Sequence, residues 1–324
     1  MATQSPTKSP KALRQVYGET LVRLGSEMPE IVVLDADLSK STKTSLFARA
    51  FPARFHDMGI AEQDMLSTAA GLAASGLVPF ASTFAIFGTG RAWEQLRNSV
   101  CYANLGVKLV ATHGGITVGQ DGGSHQAIED LAVTRVIPNL QVVVPADGIE
   151  TAQVIETAAR SAGPFYVRLP RGAGPDVHPE GHRFQLGRAV QLRDGTDLTL
   201  AACGLMVETA LQAARALEQQ GVGARVLNVS TLKPLDTEAL GQAARETGAL
   251  VTVEEHSIIG GLGSAVCEAV CGCCPVPVVR VGLRDVFGQS GSAAELLAHY
   301  GLTPDDVVVA ARQALGLRGE PASR

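Results

Sequence analysis

The chain has 324 residues, with 27 Lys and Arg against 32 Asp and Glu for a formal net charge of −5. That length predicts about two domains with ordinary cores, and the charge, with no basic stretch, excludes a nucleic-acid footprint. Apolar residues make up 46%, charged residues 18% and aromatics only 4%, with 35 Gly. This excludes a disordered chain and favours a layered α/β core over a sandwich filled with aromatic side chains.

Residues 1–10 are polar, carry two Pro and contain no apolar signal core, so they read as a disordered tail, as do residues 319–324. The longest apolar runs, such as Leu198–Val207 with Gly204 inside it, fall short of the roughly 18 residues a membrane span requires. Six Cys without an export signal predict free thiols in a reducing compartment, hence a soluble cytoplasmic protein. Leu13–Leu24 has helical spacing, and Ile31–Ala36 is the short β-branched run of a buried parallel strand. The alternation continues with strands over 55–58, 78–83, 107–112, 141–144 and 165–169, and with helices over 61–74, 91–103 and 149–162. Residues 171–182 then carry three Gly and two Pro without periodicity, which is linker chemistry. Strands follow over 197–202, 224–229, 249–254 and 276–281, with helices over 208–219, 237–246, 264–270 and 293–300. The expected organisation is a domain over 11–171, a linker over 172–186 and a second domain over 187–318. Each is α/β, a mostly parallel sheet sandwiched by helices.

In such sheets the chemistry gathers in loops beyond the carboxyl ends of the strands. That rule selects Asp35, Asp37, Ser39, Ser41 and Thr42 after the first strand, Gly59–Gln63 after the second, and Phe84 and Phe87 after the third. It also selects the loop His113–Gln126 after the fourth strand, and Arg168 and Arg171 after the last. Glu62 opens a helix, where an acid complements the helix dipole. Its neighbours Ile60, Ala61, Met65 and Leu66 are apolar, a setting that raises a carboxyl pKa towards neutrality. Phe84 and Phe87 read either as core or as a stacking platform for a flat heteroaromatic ring.

The Gly-rich loop from His113 to Gln126, with Asp121 and His125, suits neither helix nor strand and reads as a site loop. His113, Asp121 and His125 lack the spacing of a zinc site, so no metal is expected on them. Arg168 and Arg171 suggest anion recognition, with pairing to an acid as the ordinary alternative. The cysteines at 267, 271, 273 and 274 fit no usual zinc pairing and read as structural. No Gly-x-Gly-x-x-Gly with a suitable acid follows a strand, which disfavours a dinucleotide-binding dehydrogenase.

Several segments together resemble the transketolase family: Val33–Thr42, Gly59-Ile-Ala-Glu-Gln63, Ser82-Thr-Phe84, Asp121-Gly-Gly-Ser-His-Gln126, Leu169-Pro-Arg-Gly172, Val253-Glu-Glu255 and Gly260-Gly-Leu-Gly263. The resemblance covers nearly the whole chain and corresponds to the pyrimidine-binding domain followed by the C-terminal transketolase domain. It implies thiamine diphosphate as cofactor. Glu62 then corresponds to the acid that hydrogen-bonds N1′ of the aminopyrimidine, Phe84 and Phe87 to its stacking partners, and Asp37 to a position close to the cofactor. The resemblance further implies that His113, Asp121 and His125 bind donor hydroxyls, with the two histidines assisting proton transfer. Ser41, Arg171 and Arg14 match positions that hold a sugar phosphate.

The departures are specific. A third pyrimidine-pocket aromatic would fall near Gly90. Asp64 and the pair Thr112-His113 differ from the related deoxyxylulose-phosphate synthases and favour transketolase. The family's Gly-Asp-Gly, which holds Mg²⁺ and the diphosphate, does not occur in this chain. The resemblance therefore implies a chain inactive alone, paired with a separate N-terminal subunit that carries that site and Mg²⁺, in an α₂β₂ assembly acting on sugar phosphates. The alternatives are a deoxyxylulose-phosphate synthase-like subunit, the β subunit of a 2-oxo acid dehydrogenase and a non-catalytic scaffolding partner.

Overall fold

The structure, a computed structural model, describes residues 11–318, so both predicted tails lie outside the described residues. The strands are, in chain order, β1 (Ile31–Asp35), β2 (Phe55–Asp57), β3 (Val78–Phe84), β4 (Lys108–Thr112), β5 (Gln141–Val143), β6 (Phe165–Arg168), β7 (Val190–Arg193), β8 (Leu198–Ala202), β9 (Ala224–Asn228), β10 (Thr231–Lys233), β11 (Leu250–Ser257) and β12 (Val278–Leu283). They form two sheets, in the orders β10-β5-β6-β4-β3-β1-β2 and β12-β11-β8-β9-β7. All neighbours are parallel except β10 against β5 and β7 against β9. Two mostly parallel sheets flanked by helices is the predicted class.

The first sheet is covered on both faces, which explains its unbroken apolar strands. Ile31 and Val33 point to one side, where Leu13, Tyr17, Leu21 and Leu24 of the helix Leu13–Glu27 bury them. Val32 and Leu34 point to the other, against Met65, Leu66 and Ala69 of the helix Glu62–Ala74. This second core runs on into Leu227, Val229, Leu232, Leu240, Leu262 and Val266. The two α/β units therefore share buried surface, and β10 joins the first sheet from the far side of the boundary.

Two expectations are corrected and one unpredicted helix is added. The single helix over 91–103 is two π-helical stretches, Phe87–Arg91 and Leu96–Tyr102, around a short α-helical turn at Trp93–Gln95. Gly88 packs tightly there, since a Cβ on it would lie 3.0 Å from Thr83 Cγ2, and the Thr89 hydroxyl donates to the Ala85 carbonyl at 2.7 Å. Residues 172–186 hold no helix or strand, yet they are packed onto the fold: His178 is buried, Asp147 accepts the N–H groups of Val177 and His178, and Gln153 holds His182 O and Phe184 N. The helix Pro304–Leu317 was not predicted, although Thr303 and Asp306 form a capping box around Pro304 at its first position.

Candidate active site

The carboxyl ends of β1, β2, β3, β4 and β6 meet along one edge of the first sheet. At the end of β1 the buried Asp35 carboxylate accepts Leu38 N at 2.6 Å and the hydroxyls of Thr42 and Thr44 at 2.7 and 2.8 Å. Burial, only partly offset by these donors, raises its pKa to about 6. This knot shapes the turn that carries the exposed Asp37, held at φ 59° with its N–H on the Asp57 carboxylate, and Ser41, whose carbonyl accepts Arg14 Nη1 at 2.8 Å.

Glu62 is the first residue of its helix and is buried. Its surroundings differ from the apolar setting predicted. Arg91 donates to its carboxylate at 2.8 Å, and the same guanidinium lies 4.1 Å above the Phe87 ring. Arg91 reaches there because the π-helical Phe87–Arg91 segment turns its end back over the Glu62 helix, where the Gln63 amide donates to the Arg91 carbonyl. Arg91 is not among the residues selected from the sequence, where it only opens the helix expected over 91–103. A cleft of about 520 Å³ opens beside it, lined by Ile60, Ala61, Glu62, Gln63, Asp64 and Arg91. Nothing stands within 4 Å of a Cβ placed on Gly90, so the place expected to lack an aromatic is open space.

Phe84 and Phe87 stack at 5.9 Å with their planes 14° apart. Phe84 also stacks on His113 at 3.8 Å, and the His125 ring meets Phe87 edge-on at 5.3 Å. These four rings form one wall. His113 is buried at φ 60°, with Nδ1 2.8 Å from the Thr112 hydroxyl. Its pKa falls to about 3, through burial first and then the positive charges of Arg14, Arg171 and His125. It is therefore neutral at working pH, able to accept or donate one hydrogen bond.

The loop that follows His113 is pinned to the second unit. Glu255 accepts Thr117 N at 2.6 Å, and Gln126 donates to Ile116 O and to Gln289 O. Gly115 sits at φ 82°, and a Cβ there would meet Glu255 Oε1 at 2.3 Å, so only glycine fits. Asp121 faces Arg171 at 3.6 Å. Arg14 is half-buried, and burial followed by the charge of Arg171 lowers its pKa. Two guanidinium groups thus bear on the same ground beside His113, an arrangement suited to an anion.

Arg168 is not part of this cradle. It is buried, paired with Asp130 at 2.7 Å and donating to the carbonyls of Ala127 and Glu255, which is the ordinary alternative weighed for it. Among the described residues, His113, Asp121 and His125 do not bring ligand atoms together, and neither do the cysteines at 267–274; all six thiols are free.

A neutral buried imidazole makes a pH prediction. Because the folded pKa lies below the usual 6.5, the unfolded chain binds the extra proton, so His113 costs stability progressively as pH falls from about 6.5 towards 3. Urea unfolding midpoints of the wild type should fall more steeply over that range than those of His113→Asn, which keeps a polar partner for Thr112. Parallel curves would refute the assignment.

Fold and site together define a two-unit α/β protein with a ligand cleft at the carboxyl ends of parallel strands. The transketolase pyrimidine-binding domain matches residues 9–176, and the transketolase C-terminal domain matches residues 187–307. The chain belongs to the transketolase family. It is 48% identical to a putative transketolase C-terminal section from Methanocaldococcus jannaschii, over 92% of this chain and 94% of that one. It is 42% identical to a 6-deoxy-6-sulfo-D-fructose transketolase subunit from a Clostridium species, over 93% and 94%. Among solved structures it superposes on a split-gene transketolase, described as an inactive beta4 tetramer, with a TM-score of 0.88 and 53% identity, over 96% of this chain and all of that one.

Proposed function

We propose that this chain is the C-terminal subunit of a split transketolase. It moves a two-carbon ketol unit from a ketose phosphate to an aldose acceptor, with thiamine diphosphate held between it and a separate subunit that carries the diphosphate and Mg²⁺ site, in an α₂β₂ assembly. The observation that carries the reading is the seat of the Arg91 guanidinium. A flat, cationic N–H donor lies against the Phe87 ring and on the Glu62 carboxylate, which is the shape and polarity that an aminopyrimidine ring would present.

Bound there, the cofactor supplies the carbon nucleophile. Glu62 would hold a proton at its carboxylate against a nitrogen of the bound ring, taking the place of its pairing with Arg91, which would swing towards the open side at Gly90. Phe84 and Phe87 would offer the stacking surface, with Asp37 as a further residue that would hold the cofactor. Neutral His113, together with His125, hydrogen-bonds donor hydroxyls and relays their protons, assisted in binding by Asp121. Arg14, Arg171 and Ser41 hold the sugar phosphate, the two guanidinium groups matching its charge.

The purified chain, given xylulose 5-phosphate, ribose 5-phosphate, thiamine diphosphate and Mg²⁺, should show no turnover, and addition of the Gly-Asp-Gly partner subunit should restore it. Turnover by the chain alone would overturn the split assignment. Activity of the pair with pyruvate in place of xylulose 5-phosphate would overturn the substrate class.

A further inference from the structure

A second polar cluster lies away from the cleft, where the two units meet. Glu150 is in the first turn of the helix Gly148–Arg160, His178 and His182 are in the segment connecting the units, and Asn228 ends β9. One ligand atom from each of Glu150, His178 and His182 lies within 4.8 Å of the others. Asp147 accepts His178 Nδ1–H at 2.9 Å while holding the backbone N–H groups of Val177 and His178 at 2.8 Å. A carboxylate behind one imidazole nitrogen, leaving the other free as a lone-pair donor, is the outer arrangement that orients metal-binding histidines. His178 Nε2 accordingly faces inward, 3.1 Å from Asn228 Nδ2, which is also 3.0 and 3.1 Å from the two Glu150 oxygens.

Two further atoms at this junction are buried without partners: His182 Nε2 and Asn228 Oδ1. Rotating the Asn228 amide by half a turn exchanges its oxygen for its nitrogen and aims the unpartnered Oδ1 at the same point as Glu150 and His178. Asp147 and Glu150 are both wholly buried, and among the described residues no Lys or Arg pairs with either. Apart from His178, the groups that face them are neutral donors, the Asn228 amide and backbone N–H groups such as Ala146 N on Glu150 at 2.7 Å, so a cation would meet two carboxylates there.

We propose that Glu150, His178 and His182, completed by Asn228 Oδ1, bind one divalent cation of the zinc type, which ties the helix of the first unit, the connecting segment and β9 of the second unit together. Two imidazoles, a carboxylate and an amide oxygen are a donor set for Zn²⁺, a borderline ion that takes four ligands. The two rings now stack at 3.9 Å, 28° from parallel. A tilt of the half-buried His182 ring brings its nitrogen onto the ion, and His178 stays fixed by Asp147.

The test uses the full chain, stripped with a chelator and titrated with Zn²⁺. Elemental analysis after gel filtration should find one zinc per chain, and X-ray absorption should show a shell of nitrogen and oxygen without sulfur. Thermal unfolding should shift upward by about 5 °C or more in excess zinc. His182→Ala, which removes a partly exposed ring with no hydrogen bond at Nε2, should leave the melting temperature of the stripped chain unchanged and weaken zinc binding about tenfold or more. Absence of stoichiometric zinc, unchanged affinity in His182→Ala, or a sulfur shell from the cysteines at 267–274 would each overturn the proposal.

Discussion

Glu62→Gln in the chain reconstituted with its diphosphate-binding partner is expected to lower kcat by about a thousandfold, within the range that positioned proton-transfer groups contribute. Glutamine keeps the size of the side chain and can hydrogen-bond a ring nitrogen, but it cannot share a proton with one. The loss should therefore fall on kcat, while KM for the sugar phosphate, whose binding is proposed to rest on Arg14, Arg171 and Ser41, stays within a few-fold of wild type. The variant should also fold normally. The Glu62–Arg91 pair is half-exposed on the arginine side, and such pairs contribute about 1 kcal/mol or less. Steady-state kinetics with xylulose 5-phosphate, alongside an unfolding curve, separates the two effects. An unchanged kcat with intact folding would support the scaffolding alternative and remove Glu62 from the chemistry.

The parts of the fold legible in the sequence are those set by local pattern. Ile31–Leu34 and Leu109–Ala111 are apolar runs too short for helices, and the helices between them carry a clear stripe, so the parallel sheets follow from periodicity. The three-residue strand β10 has no such signal of its own, because its pairing is with β5 of the other unit. Phe84, Phe87, His113 and His125 are each selected by the strand-end rule, but that their rings pack together is decided by the fold. Arg91 is not selected, because its approach to Glu62 depends on π-helical winding, which shifts the phase of every side chain after Phe87. The helix Pro304–Leu317 is a different case, since its capping box is a purely local signature. Arg168 shows the limit of the strand-end rule. It identifies where polar residues gather, but whether an arginine there meets solvent or a buried acid is decided by Asp130, which the fold brings in from the following helix of another loop.

Arg168→Met is expected to destabilise the chain by about 3–5 kcal/mol, the cost of stripping one partner from a buried ion pair. Burial opposes the charge on Arg168, but the carboxylates of Asp130 and Glu255 outweigh it and raise its pKa well above the usual arginine value. With the guanidinium gone, Asp130 retains Tyr166, whose hydroxyl donates at 2.6 Å, and the His256 imidazole at 4.0 Å, and the buried acids Asp130 and Glu255 lose the arginine's charge. Replacing both members, as Arg168→Met with Asp130→Leu, should recover part of the loss, because no unpaired charge then remains. Equilibrium urea unfolding of the single and double variants measures the difference, and a single variant within 1 kcal/mol of wild type would contradict the buried-pair account. The effect should extend to the site. A Cβ on Gly114 would lie 2.6 Å from Arg168 Nε, so the guanidinium is the floor on which the His113 loop rests, and it ties β6 to the Glu255 carbonyl in β11 of the second sheet. At a temperature where Arg168→Met is still folded, the reconstituted enzyme should therefore lose kcat as well, through displacement of His113 rather than through any contact of Arg168 with substrate.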